Sequence, residues 1–276
     1  MARYDRKPQT ALICGASGGL GQVLARTLMA NGMNVRGTMR DPSKNTASDI
    51  SMLAMDVLDE KSVETCFEKA ASELGSVDVV INCVNEMVLG SVEETSPEEL
   101  QRVYAINVVG TSTIARSAIP LMRAQGQGLF VAMSSLGGIL AVPYFSAYTS
   151  SKFALEAFAE ALYHEVKADN IDVAIMQPVA MFMDRPDEGD HLKIAQGAPK
   201  DSPTRRMAAM MAKDTAESKL TPEIVSAAIL DVIRSDSRKL RYPMDRAKIL
   251  SVVKRLAPQA LINKLIGKLV LGAVRS

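Results

Sequence analysis

One short stretch restricts the fold of this chain more than any other. Directly after the apolar run Ala11 to Ile13, the sequence reads Cys14-Gly15-Ala16-Ser17-Gly18-Gly19-Leu20-Gly21 and passes into a helical pattern from Leu20 to Ala30. A strand that turns through glycines straight into a helix opens a strand-helix-strand unit. Glycines at 15, 19 and 21 permit the tight turn, allow backbone amides to approach an anionic ligand, and let the helix pack closely on the sheet. A plain strand-to-helix bend carries similar residues, so the stretch alone fixes no ligand. Apolar strands and helical patterns alternate from Thr10 onward, which predicts an α/β chain with a doubly wound parallel sheet. At 276 residues and 47% hydrophobic content there is core enough for a single domain over 1–276.

A second stretch, from Ser134 to Lys152, follows the apolar strand Leu129 to Met133 and leads into a long helical pattern from about Phe145 to Ala168. Tyr148 and Lys152 are four residues apart, so on a helix they share a face, where an ammonium stabilises a developing phenolate. Tyr148 is therefore a candidate acid and base, with Ser135 placed to hold a substrate oxygen. Taken alone, a Tyr-x-x-x-Lys pair is as well explained by a solvated helix face. Following a glycine-rich strand-helix turn in the same chain, it carries more weight.

With both motifs in this order the chain resembles the short-chain dehydrogenase/reductase family, closely over residues 9 to about 180 and loosely beyond. The resemblance implies a Rossmann fold and a nicotinamide cofactor. It also implies a catalytic set of Asn107, Ser135, Tyr148 and Lys152, Ser135 being selected because the family's serine lies thirteen residues before the tyrosine. In that scheme Tyr148 transfers the proton, Lys152 lowers its pKa and binds the nicotinamide ribose, Ser135 polarises the carbonyl, and Asn107 holds a water beside the lysine. Gly15, Ser17, Gly18, Gly19, Leu20 and Gly21 would surround the phosphates, Asp56 and Val57 the adenine, and Asn82, Cys83, Tyr148, Lys152, Pro178 and Met181 the nicotinamide half.

Cofactor choice turns on Arg40, at the end of the strand Asn34 to Met39, where NAD-preferring relatives carry an acid. A cation there suits a 2′-phosphate and favours NADP(H) over NAD(H), while a second reading has Arg40 capping a surface turn and Asp41 reaching the ribose. The chain departs from the family at Asn82-Cys83-Val84-Asn85, at Cys14, and at Pro178-Val179-Ala180-Met181, where a glycine and a threonine are replaced. Asn85 is expected to keep a left-handed turn in place of glycine, and Glu86 to be a solvated loop acid, with a substrate-contacting acid as the second reading.

Ser96-Pro97-Glu98-Glu99 is a capping box that starts a helix running toward Arg123 with Asn107 inside it. Residues 184–220, rich in charge, glycine and proline, read as a substrate lid, and Lys239 to Tyr242 as the last strand. From Arg246 an amphipathic pattern, broken at Pro258, forms a helical tail over 243–276. It suits a lid over the pocket or a subunit interface, and alternatively a weak contact with anionic lipid. The tail and Arg241-Tyr242-Pro243 resemble the steroid and retinol dehydrogenase side of the family, implying a bulky apolar ketone or alcohol. The long helix carrying Tyr148 implies a homodimer or homotetramer.

Net charge of +1 argues against a nucleic-acid binder. Cys14, Cys66 and Cys83 sit in apolar patterns and read as reduced core residues with no metal role, and the first residues lack an apolar signal segment, which suits the cytoplasm. The altered segments also admit another class of function, a dinucleotide-binding sensor or regulator without turnover.

Overall fold

The computed structural model describes residues 7–181 and 193–272. Its strands are β1 (Thr10–Cys14), β2 (Asn34–Met39), β3 (Met52–Ala54), β4 (Val79–Asn82), β5 (Val88–Leu89), β6 (Gly128–Met133), β7 (Ile171–Gln177), β8 (Lys193–Ile194) and β9 (Arg241–Pro243). The helices are α1 (Gly19–Ala30), α2 (Glu60–Leu74), α3 (Pro97–Tyr104), α4 (Gly110–Gln125), α5 (Ser146–Val166), α6 (Pro203–Ala216), α7 (Pro222–Arg234), α8 (Ala247–Leu256) and α9 (Gln259–Ile266). Seven strands form one sheet in the order β3-β2-β1-β4-β6-β7-β9, all parallel, and β5 pairs with β8 in a separate two-stranded ribbon.

Strand alternation divides the core in two. Leu12 and Cys14 of β1, Phe130 and Ala132 of β6, and Val173 and Ile175 of β7 enter a cluster beneath α2, α4 and α5. Ala11 and Ile13, Leu129 and Val131, and Ala174 and Met176 enter the opposite cluster under α1 and α7. Successive side chains of a strand point to opposite faces, so a doubly covered sheet needs near-continuous apolar runs, and these strands supply them.

The helical stretch that runs toward Arg123 contains a wide turn around the interior asparagine. Ala105–Val109 is π-helical between α3 and α4, and Asn107 lies in it, fully buried. Two expectations are corrected. The final strand is Arg241–Pro243, not Lys239 to Tyr242: the Lys239 amide donates to the Tyr242 hydroxyl at 2.7 Å instead of to a neighbouring strand, the chain bends at Leu240, and pairing with β7 begins at Arg241. Asn85 is not left-handed; among the described residues the non-glycine positive φ angles are at Tyr144, Asn170 and Asp245. The asparagine is not needed there, since Asn107 clasps the next residue from outside the loop. Of the proposed lid, residues 184–192 lie outside the described residues, whereas the rest contains β8 and α6.

One buried ion pair ties the far end of the sheet together. Arg238 donates to the Asp172 carboxylate at 3.0 Å and to the carbonyls of Val232 and Ile233 at the end of α7, with both ionic side chains almost wholly buried.

Candidate active site

Strand order reverses between β1 and β4, and a parallel sheet opens a crevice at the carboxyl ends of the strands there. Gly15 has φ +80°, and a Cβ on it would come within 3.1 Å of the Val84 amide nitrogen. A Cβ on Gly21 would sit 2.6 Å from Ala16 Cα, so that glycine sets how closely α1 approaches the turn. Gly18 and Gly19 open α1, whose first amides have no side-chain cap, and Ser17 is exposed beside them. This is a glycine cradle leading into a helix N-terminus free to bind an anion, and a dinucleotide pyrophosphate fits it. Leu20 packs on the core beneath. Across the crevice, Cys83 N–H donates to the Cys14 carbonyl at 2.9 Å, and Asn82 donates to Thr111 Oγ1 at 2.8 Å while accepting from Val84 N–H. Burial pushes the Cys83 thiol up to about 12, so it stays protonated.

At the β2 end, Ser17, Met39, Arg40, Asp41 and Lys44 line a pocket of about 440 Å³. Asp41, not Arg40, caps the turn: its carboxylate accepts from Ser43 N–H at 3.1 Å and Ser43 Oγ at 2.6 Å, which holds its pKa below the usual carboxylate value. Arg40 is exposed and makes no ion pair among the described residues. Lys44, 3.5 Å from Asp41, adds a second cation to the pocket. Sequence reasoning missed Lys44; its signal is the pair of cations straddling Asp41-Pro42. Asp56 accepts from Leu58 N–H at 3.0 Å, and the buried Val57 packs against Gly110, so both stand at the end of β3 on the same rim.

The catalytic candidates converge where β6 meets α5. Ser135 follows β6, and its Oγ accepts from Gly137 N–H at 3.1 Å. Tyr148, near the start of α5, is buried, stacks on Phe145 with centroids 4.5 Å apart, and hydrogen-bonds Ser135. Lys152, one turn on, is 1% exposed; its ammonium donates to the Met133 carbonyl at 2.8 Å and lies 5.6 Å from the Tyr148 ring centre. Burial pushes Tyr148 up to about 12, with the Ser135 hydrogen bond pulling the other way, and burial brings Lys152 down to about 8. In the chain alone, desolvation of the phenol outweighs the Ser135 hydrogen bond.

Asn107 is joined to this group through direct contacts. Its amide donates to the Glu86 carbonyl at 2.8 Å and to Ser151 Oγ at 2.9 Å, while its carbonyl accepts from Glu86 N–H at 2.8 Å. Its side chain thus clamps the loop after β4 to the helix residue that precedes Lys152. Glu86 is not a solvated acid: its side chain is 13% exposed and meets Lys193 at 2.5 Å and Arg102 at 3.5 Å, drawing β8 onto α3. The Pro178 carbonyl accepts from Leu136 N–H at 2.8 Å, and Ser218 Oγ donates to the Ala180 carbonyl at 2.7 Å, fixing the segment that ends in Met181 across the crevice from α1.

An apolar cluster packs around Tyr148. Leu89, Phe145, Tyr148 and Met207 form its buried part, with Met87, Met210, Met211 and Val270 packed around them. Methionines of α6 and Val270 of the tail thus pack in one cluster with the tyrosine.

A glycine cradle at the switch point of a parallel sheet, in one chain with Ser135, Tyr148 and Lys152 brought together, is the arrangement of a class of oxidoreductases, and the chain's relatives lie in that class. The short chain dehydrogenase family profile matches residues 9–185, and the chain belongs to that family. It is 37% identical over 172 residues to a 3-ketodihydrosphingosine reductase of Bacteroides thetaiotaomicron, a match spanning 62% of this chain and 64% of that protein, just under two thirds of the relative's length. Two solved structures share the fold. A Burkholderia phymatum enzyme in complex with NAD has TM-score 0.77 and 19% identity over 95% of this chain and 96% of its own. A Burkholderia cenocepacia enzyme in complex with NADP has TM-score 0.75 and 17% identity over 94% and 98%.

Proposed function

We propose that this oxidoreductase interconverts a secondary alcohol and a ketone, prefers NADP(H), and takes a bulky apolar substrate. The observation that carries the reading is the convergence of Ser135, Tyr148 and Lys152, with Tyr148 packed in an apolar cluster, in a chain that also carries the glycine cradle. When bound, the cofactor supplies or accepts the hydride. Everything else falls to the chain. The crevice from Gly15 to Gly21 and the Pro178 to Met181 segment would hold the dinucleotide, Ser135 donates a hydrogen bond to the substrate oxygen, and Tyr148 gives that oxygen its proton during reduction. Lys152 supplies positive charge beneath the phenol, and Asn107 positions the loop after β4 against α5.

The name of the Bacteroides relative, a reductase of a ketone, supports the reaction class. The methionines of the cluster suit a large apolar group, since thioethers adapt to irregular shapes. Absorbance at 340 nm with NADPH and a panel of ketones tests the proposal. Turnover rising with apolar bulk supports it, whereas tight NADPH binding without turnover of any ketone would favour a sensor.

The cofactor preference rests on Arg40 and Lys44, two cations in one pocket with Ser17. Arg40→Ala is expected to weaken NADPH binding by about 2 kcal/mol, and Lys44→Ala by about 1, with NADH nearly unchanged, because a charge-assisted contact to the 2′-phosphate is lost only for the phosphorylated cofactor. Fluorescence titration of both cofactors reads this directly. Equal losses for NADH and NADPH would make the two cations structural.

A further inference from the structure

The tail presents its apolar stripe on the wrong side for a core helix. In α8 the buried residue is Ala247, by which the helix rests on the protein. Ile249 lies about 200° round from it at ~100° per residue, and Val252 and Leu256 follow at i+3 and i+7 on that outer face. They are 69%, 55% and 76% exposed. Leu261 and Leu265 of α9 are exposed as well, while Ile262 turns inward and Val270, further on, joins the cluster around Tyr148.

Charge says what covers this stripe. Between residues 246 and 276 the sequence has Arg246, Lys248, Lys254, Arg255, Lys264, Lys268 and Arg275 and no aspartate or glutamate. Arg246 is taken by Asp214, and Lys254 donates to Gln259. Lys248, Arg255, Lys264 and Lys268 are exposed and make no ion pair among the described residues. A second copy docked about a twofold axis would set this face against itself, cation against cation. An apolar stripe flanked by cations that make no ion pair among the described residues suits a flat anionic surface.

We propose that the outer face of α8, continued by Leu261 and Leu265, docks on anionic lipid, with Ile249, Val252 and Leu256 entering the headgroup boundary and Lys248, Arg255, Lys264 and Lys268 meeting the phosphates. Because Val270 of the same tail packs against the cluster that contains Tyr148, docking holds the tyrosine's side of the protein close to the bilayer. The contact is interfacial: no helix among the described residues is long and apolar enough to cross a membrane.

The test is sedimentation of the full chain with vesicles, and it does not depend on turnover. Binding is expected to vesicles of phosphatidylglycerol and phosphatidylcholine at low salt, to weaken at high salt, and to be lost on phosphatidylcholine alone. The Lys248→Gln, Arg255→Gln double variant should lower the partition coefficient about thirtyfold, at roughly fivefold per cation, and Leu256→Ser should lower it with the charges intact. Both substitutions lie on an exposed face, so unchanged circular dichroism and NADPH binding will show that the fold survives. Equal sedimentation by the variants, or none by the intact protein on anionic vesicles, overturns the proposal. So does self-association in solution that Leu256→Asp abolishes, which would assign the face to a second copy.

Discussion

Tyr148→Phe is expected to lower the rate of ketone reduction by about 10² or more and to leave NADPH affinity within about twofold. The substitution removes one hydroxyl and nothing else of consequence. The ring keeps its stack on Phe145 and its place in the apolar cluster, so neither fold nor crevice has reason to change. What is lost is the proton beside the substrate oxygen, together with the hydrogen bond to Ser135. The pH profile gives a second readout. Burial brings Lys152 down to about 8, so its positive charge is present below that pH and is lost as pH rises through it. Reduction by the native protein should therefore fall above about pH 8, and Lys152→Met should remove that limb along with most of the activity. Tyr148→Phe protein that still reduces ketones at the native rate would place the proton donor elsewhere.

Arg238→Met is expected to have the largest effect on stability. The guanidinium meets Asp172 inside the protein and also holds two carbonyls at the end of α7, so its removal leaves a buried carboxylate without that cation. Breaking a buried pair from one side costs about 3–5 kcal/mol, and at roughly 2–4 °C per kcal/mol the melting temperature should drop by about 10 °C. Adding Asp172→Asn to Arg238→Met should recover part of the loss, since no charge then remains to be desolvated. Scanning calorimetry of the single and double variants measures both. A melting temperature within about 2 °C of native for Arg238→Met would mean that solvent reaches the pair.

What the sequence made legible is what short-range spacing controls. The glycine turn, the four-residue step from Tyr148 to Lys152 and the capping box at Ser96 are each set within one helical turn, and the structure places them as read. Strand alternation likewise announced a sheet covered on both faces. Contacts between distant parts were not legible. Glu86 looked solvated because Lys193, which pairs with it, lies 107 residues on. Asn85 looked left-handed because the loop was read by itself, without the clasp from Asn107. Two-residue strands such as β5 and β8 are too short for any periodicity to register. For α8, periodicity gave the stripe but not its direction, which depends on where Ala247 lands.

The wide turn at Ala105–Val109 has a further meaning for how this chain can vary. A π turn is an α-helix carrying one residue more than its hydrogen-bond ladder requires. Loss of any single residue there would let α3 and α4 close into one regular helix, with a better ladder and a shorter chain. The same loss would swing Asn107 off Glu86 and Ser151. The simpler helix is thus one deletion away, and what holds the chain back from it is the grip on the loop beside the active site.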